Sequence, residues 1–362
     1  MKKKPVAYIP GGGKAVVKHV VTPDGRPRID LSLNESSYGA SPLAAAAAGA
    51  RVRRLNRYPD PASSDLRRAI GKTYGLDPEQ ITCGNGSEEI IDIIGRLFAR
   101  GADDELLFSE YAFLQFPIVA MRVGATAVRV PMPGLTNNVD CLLAGLTPRT
   151  RVVFLANPDN PTGTWIPVSE IRRLHENLPA DVVLVIDSAY GEYVDDAAYS
   201  DGLEMVAGNE NVIVTHTFSK AFGLAALRVG WSCSSTAMAA TINRMRGIGN
   251  VNAIAQEAAA AALEDQAFVA RVREQTAIER DFMTGQLEGL GLSVVPGAVN
   301  FLLTRFPDDS NHTAAAAHTH LAGDGIIVRT NDDYGLDNYL RITLGLREEN
   351  EAVIASLKRF FV

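Results

Sequence analysis

Cysteine is scarce in this chain: Cys83, Cys141 and Cys233 are the only three among 362 residues. They are odd in number and far apart. That excludes a disulfide framework, offers no zinc spacing, and fits a reducing cytoplasm, the expected location. Long apolar runs are missing as well. None approaches the roughly 18 residues of a membrane span, so no membrane partner is expected. An excess of positive charge is also missing. The net charge is −7, so nothing in bulk suits a nucleic acid. Met1-Lys2-Lys3-Lys4 is basic, but no apolar core follows Pro5, so no secretory leader is read there. Internal repeats are absent.

What is present is an ordinary globular composition, 46% hydrophobic and 21% charged, in a chain long enough for a large domain and a smaller one. Residues 1–40 read as an arm joining the smaller domain. Ile29 to Leu33 alternates like a short strand. Ser41-Pro42 opens a helix as N-cap and first residue. Ser64 or Asp65 would cap the next helix, and Ser169 a later one. Apolar strands alternate with helices from 81 to 232, the pattern of a mostly parallel sheet with helices on both faces. This is an α/β large domain over 41–255. Residues 256–362 read as a bridging helix and an α+β small domain.

Chemistry gathers at strand ends. Asn211-Val212-Ile213-Val214 is a buried strand that runs into Thr215-His216-Thr217-Phe218-Ser219-Lys220. Arg228 follows eight positions after the lysine. A lysine kept from bulk water loses its proton and attacks an aldehyde. Thr217, Ser219 and Arg228 are donors a phosphate monoester needs. Together they suggest pyridoxal 5′-phosphate (PLP). This stretch alone leaves open a plain surface lysine.

Further stretches break the tie. Gly84-Asn85-Gly86-Ser87-Glu88 turns from a strand into a helix, which is a tight turn or, with the other pieces, a phosphate seat. The dinucleotide fingerprint is broken, because Glu89 stands where its third glycine belongs. Val182 to Ile186 is the strongest buried strand. It delivers Asp187, either a helix cap or a carboxylate that would keep a pyridine nitrogen protonated, and Tyr190, which could reach the ring's phenolic oxygen. Phe113 is an aromatic able to stack on a flat ring. Asn157-Pro158-Asp159-Asn160-Pro161-Thr162-Gly163 is a rigid turn at a strand's carboxyl end, where α/β sheets place ligands. Arg341 sits inside an alternating strand and calls for an anion. Arg329 raises the same question. His216, His312, His318 and His320 show no ligand spacing and read as structural or surface residues.

With these pieces assembled, the chain resembles the histidinol-phosphate aminotransferase family, within class I and II aminotransferases of PLP fold type I. The resemblance runs from Tyr8-Ile9-Pro10-Gly11 to the last helix. It rests on Leu33-Asn34-Glu35, Arg57-Tyr58-Pro59-Asp60-Pro61, the 157–163 turn, Asp187-Ser188-Ala189-Tyr190, Thr217 to Ala225, Leu227-Arg228 and Leu340-Arg341-Ile342. It implies a large domain with a mostly parallel, seven-stranded type of sheet. Lys220 would condense with the cofactor's aldehyde and then move protons. Asp187 would pair with the ring nitrogen, Asn160 and Tyr190 would hold the ring oxygen, and Phe113 would stack. Gly86, Ser87 and Glu88 through backbone amides, with Thr217, Ser219 and Arg228, would hold the phosphate. Tyr58 would reach the phosphate of the other subunit in a homodimer. Arg341, Arg329, Tyr8 and Asn34 would line the substrate pocket. Ser36-Ser37, Tyr111, Phe116 and the Thr330 to Tyr334 loop depart from the family pattern. Asp332 and Asp333 would repel a phosphate if they faced it.

The reaction this implies moves an amino group from histidinol phosphate to 2-oxoglutarate in a ping-pong cycle. Aromatic amino acids are the second donor class. A decarboxylase like threonine-phosphate decarboxylase stands as an alternative on the same scaffold. A PLP-binding regulator would need a DNA-binding domain, and only the short arm precedes the fold.

Overall fold

A computed structural model describes residues 28–308 and 311–362. Tyr8 and the Pro10-Gly11-Gly12-Gly13 turn lie outside them. The chain divides into two units. The larger takes residues 35–278 and 296–300; the smaller takes the segment ending at Asn34 with 279–295 and 301–362. These crossings differ from the 40/41 and 255/256 read from the sequence. Packing is the reason: helix Ala253–Glu264 lies on helix Pro42–Val52 and stays with the larger unit.

The first strand, β1, is only Ile29–Asp30. The larger unit holds seven: β2 (Ile81–Gly84), β3 (Glu105–Ser109), β4 (Thr126–Val130), β5 (Thr150–Ala156), β6 (Val183–Asp187), β7 (Val212–Thr217) and β8 (Gly230–Ser234). Their order is β2-β8-β7-β6-β5-β3-β4. β8 runs antiparallel to both its neighbours, and the other pairs are parallel. Every residue of β6 and β7 is buried. A strand apolar on both faces needs cover on both. Ile90 and Ile94, from helix Ser87–Phe98, pack with Phe154, Val185 and Ile213 in one core. Of the two edge strands, β2 is buried and β4 stays largely exposed.

Register aligns the strand ends. Ala156 pairs with Asp187, and Asp187 with Thr215. Thr217 pairs with Gly230, and Gly230 with Gly84. The turns after β2, β5, β6 and β7 therefore leave the sheet at one edge, which is where open α/β sheets hold ligands.

Helix starts follow the sequence only in part. Ser41 is an N-cap as expected, its hydroxyl accepting from Ala44 N at 3.1 Å. The next helix, Ser64–Tyr74, has Ser63 at its N-cap position rather than Ser64 or Asp65, and the Ser63 side chain makes no capping hydrogen bond. Asp60 explains this, because its carboxylate takes the Ser64 amide at 2.6 Å. Helix Val168–Glu176 starts after Pro167 rather than Ser169. Ala198 O accepts the Val168 amide at 2.9 Å and settles that end.

In the smaller unit β9 (Ser293–Val294), β10 (Phe301–Arg305), β12 (Arg329–Thr330) and β13 (Tyr339–Thr343) form an antiparallel sheet in the order β12-β13-β10-β9. The short β11 (Ile326–Ile327) pairs with β1 instead. Leu340 and Ile342 face a core with Leu302, Val353 and Leu357. Period-two alternation turns Arg341 to the other face.

Candidate active site

Lys220 follows β7 in a turn with little freedom. Ser219 N donates to Thr217 Oγ1 at 3.1 Å. Gly223 N donates to Lys220 O at 2.9 Å, and Leu224 N to Phe218 O at 2.9 Å. Gly223 has φ +69°, and a Cβ there would lie 2.0 Å from Gly39 O. Only glycine suits that spot. The turn thus fixes where the lysine leaves the backbone. Its Nζ stands 5.6 Å from the centre of the Tyr190 ring. Tyr190 is itself buried.

One strand over, Asp187 ends β6 with 4% of its surface exposed. Thr215 Oγ1, its register partner, donates to Asp187 Oδ1 at 2.7 Å. Burial pushes the carboxyl's pKa up to about 6, while the Thr215 hydrogen bond and His216 hold it back and Glu88 adds to the rise. A cation brought beside it would restore the carboxylate. That is the chemistry of a group that keeps a ring nitrogen protonated.

The third part is an anion seat. Gly86 caps helix Ser87–Phe98 with φ +80°, leaving the first amides of the helix open. Arg228 has its own left-handed backbone, φ +54°. Its Nη2 lies against Gly86, where a Cβ would stand 2.7 Å away. Its Nη1 reaches Ser219 Oγ at 3.4 Å, and Nη2 reaches Glu88 Oε2 at 3.4 Å. Gly230 allows the helix start to approach, since a Cβ on it would fall 2.4 Å from Ser87 N. Helix amides, a guanidinium and the hydroxyls of Thr217 and Ser219 converge. This set fits a phosphate dianion.

The 157–163 turn splits its work. Asn157 is wholly buried and structural, its side chain bridging to Ile166 N at 2.8 Å and Ile166 O at 3.1 Å. Its bond to Pro158 is cis. Asn160 is half-buried at the strand-end edge. Phe113 is half-buried too and packs edge-on against Phe116 at 6.0 Å. Phe116 stacks on Phe154 at 4.6 Å and belongs to the core. Tyr58 is 98% exposed, far from any of these roles within one chain.

The smaller unit holds its own cationic face. Arg329 and Arg341 are register partners on β12 and β13, and both are buried. Arg341 Nη2 donates to Ser32 O at 3.1 Å, and its guanidinium lies 5.3 Å from the Phe301 ring centre. Arg329 donates to Asp333 Oδ2 at 2.5 Å. Asp332 accepts from Thr330 Oγ1 at 2.6 Å. Asn34, with φ +55°, is tied through Thr343 Oγ1, which accepts its amide at 2.9 Å. The acids that would repel a phosphate are thus engaged, one by an arginine and one by a hydroxyl.

Two groups were missed in the sequence. Asp159 is wholly buried and accepts from Thr162 Oγ1 at 3.0 Å, and burial, with a smaller push from Asp187, raises its pKa. His216 is buried between two acids. A polar residue placed mid-strand in a run that must be buried on both faces was the available signal for the histidine. For Asp159 there was none beyond its place in the turn.

Fold and site together define an α/β transferase that handles amines. The chain belongs to the aminotransferase class I and II family, whose profile matches residues 26–357. It is similar to the histidinol-phosphate aminotransferase of Paramagnetospirillum magneticum, 46% identical over 92% of this chain and 91% of the relative. A second relative of that name, from Nitrobacter winogradskyi, is 45% identical over 93% of this chain and 92% of its own. Among solved structures it is similar to the histidinol-phosphate aminotransferase from Sinorhizobium meliloti in complex with pyridoxal-5′-phosphate. The TM-score is 0.88 at 29% identity, covering 93% of this chain and 92% of that one.

Proposed function

We propose that this protein is a PLP-dependent histidinol-phosphate aminotransferase that uses 2-oxoglutarate as acceptor. The observation that supports it most is the convergence of Lys220, Asp187 and the Arg228–Ser87 anion seat on one edge of the sheet. Each matches one part of the cofactor: aldehyde, ring nitrogen, phosphate. The relatives' names support the substrate. Bound there, PLP supplies an aldehyde for the amine and a ring that takes up electrons.

The chain's own residues do the rest. Lys220 Nζ would be the base that takes the substrate's Cα proton and returns it two atoms away, across the amine nitrogen. Asp187 holds a proton on the ring nitrogen. Tyr190 and Asn160 hold the ring oxygen, and Phe113 covers the ring face. Ser87 and Glu88 amides, Thr217, Ser219 and Arg228 hold the phosphate. Arg341 is the anchor for the substrate's anion, with Arg329, Asn34 and Tyr8 beside it in role. We read the enzyme as a cytoplasmic homodimer. Tyr58, Leu55 and Ile248 are 98%, 67% and 97% exposed, an apolar surface suited to a second copy and to carrying Tyr58 towards that copy's phosphate. The three cysteines are free thiols, in keeping with that compartment.

Lys220→Ala tests this reading. It should cut turnover by about a thousandfold or more and abolish the covalent link to PLP. Turnover at the wild-type rate would refute it.

A further inference from the structure

His216 stands where the mechanism above has no use for it. It is 1% exposed. Strand alternation puts it on the face of β7 opposite Thr215 and Thr217. Its ring lies flat on Trp231, its register partner on β8, with centroids 4.5 Å apart and 7° between planes. Tyr74 covers it at 5.8 Å. Each ring nitrogen faces a carboxylate: Glu192 Oε1 is 3.5 Å from Nδ1, and Asp201 Oδ2 is 3.6 Å from Nε2. These are ion-pair distances, long for hydrogen bonds. The Glu192 side chain is only 11% exposed. Among the described residues no lysine or arginine forms an ion pair with either acid. Glu192 is nearly buried and Asp201 is 27% exposed, and the imidazole between them is the group placed to be their cation. Burial pushes its pKa down, but Glu192, Asp201 and Asp187 more than reverse this and raise it above the ordinary value.

The connections matter as much as the charge. Glu192 lies two residues after Tyr190, in the short turn Gly191–Tyr193. Tyr193 N donates back to Tyr190 O at 3.1 Å, so the turn moves as one piece. Thr215, the residue before His216, holds Asp187.

We propose that His216 is a positioning residue for Lys220, Tyr190 and Asp187. Through Glu192 it ties the turn that carries Tyr190 to the strand that leads to Lys220. Its positive charge keeps Asp187 ionised from behind the sheet. This rests on the catalytic reading above. The other titratable groups facing the cluster stay uncharged over the working range. Tyr74, Tyr193 and Tyr199 are pushed well above the ordinary phenol range by burial. Cys233 is pushed up to about 12 by burial.

The test compares His216→Gln, which removes the charge, with His216→Arg, which keeps it and can still stack on Trp231. Each is loaded with PLP. The pH midpoint of the cofactor's visible band and the kcat and KM for the amine are measured. The imidazole resonance is titrated in the wild-type chain without cofactor. Loss of a nearby cation favours the protonated nitrogen at Lys220, so the glutamine variant should raise the midpoint by about one pH unit. Its kcat should fall about tenfold with KM within about twofold. The arginine variant should keep the wild-type midpoint. A glutamine variant that melts earlier but keeps the midpoint and kcat overturns the proposal. So does an imidazole that titrates at or below its ordinary value. If the glutamine variant does not fold, the arginine variant and the imidazole titration decide. If the wild-type chain shows no cofactor band, the catalytic reading fails, and the imidazole titration still reports on the buried triad.

Discussion

Asp159 shows how far one buried carboxyl moves when it lacks a full set of partners. Burial pushes its pKa up to about 7, with the Thr162 hydrogen bonds opposing and Asp187 adding to the rise. A carboxyl raised in the folded state favours the native chain while it is protonated. That advantage is present at low pH and is lost as pH climbs from about 4 towards 7. Asp159→Asn stays neutral and still accepts from Thr162. In the chain without cofactor it should be more stable than wild type at pH 8 by about 1–3 kcal/mol. The gain should vanish below about pH 4. Thermal melts across that range check it; a pH-independent loss of stability would contradict it. Asp187 was readable beforehand because it ends a strongly apolar run. Asp159 was not, because depth inside a loop depends on what folds over it. His216 was hidden for a related reason, since its partners Trp231, Glu192 and Asp201 arrive from other segments.

At the scale of elements, the inner strands were legible because their apolar runs are long and bounded by glycine, proline and asparagine. Helix starts were less so. The Ser64 amide is held by Asp60, outside the helix, and not by a serine at the helix start. The glycine turn before Ser87 was legible as a strand-to-helix turn. The reason for a second glycine at 230 was not. A Cβ at Gly230 would meet Ser87 N at 2.4 Å, Gly86 C at 2.8 Å and His216 O at 2.8 Å. All three are backbone atoms and cannot rotate away. Gly230→Ala should therefore push the helix start off β8. We expect about 1–3 kcal/mol of lost stability. PLP affinity should fall about tenfold or more as the amides leave their place, a displacement costing about 1.4 kcal/mol or more. Fluorescence titration with PLP checks this, and an unchanged affinity would contradict the role given to that contact.

For the whole molecule, two units in one chain were expected from length, and their crossings at 34/35 and 278/279 came from packing that composition does not display. The sequence also gave no sign that Ile248 and Tyr58 stand almost wholly in solvent. If that surface joins two copies, Ile248→Asp should shift the sedimenting species from dimer to monomer at micromolar concentration. It should lower turnover as well, because Tyr58 would no longer reach its neighbour. A variant that stays dimeric would place the interface elsewhere. The central claim is that one edge of this sheet holds PLP and serves histidinol phosphate. The most direct measurement mixes the PLP-loaded protein with histidinol phosphate, and separately with phenylalanine, glutamate and arginine, with no acceptor present, and follows the cofactor's visible band. The account predicts that the band disappears fastest with histidinol phosphate. Loss of the band with another amine, and none with histidinol phosphate, would contradict the substrate while leaving the cofactor site standing; a protein that shows no band at all would contradict the claim itself.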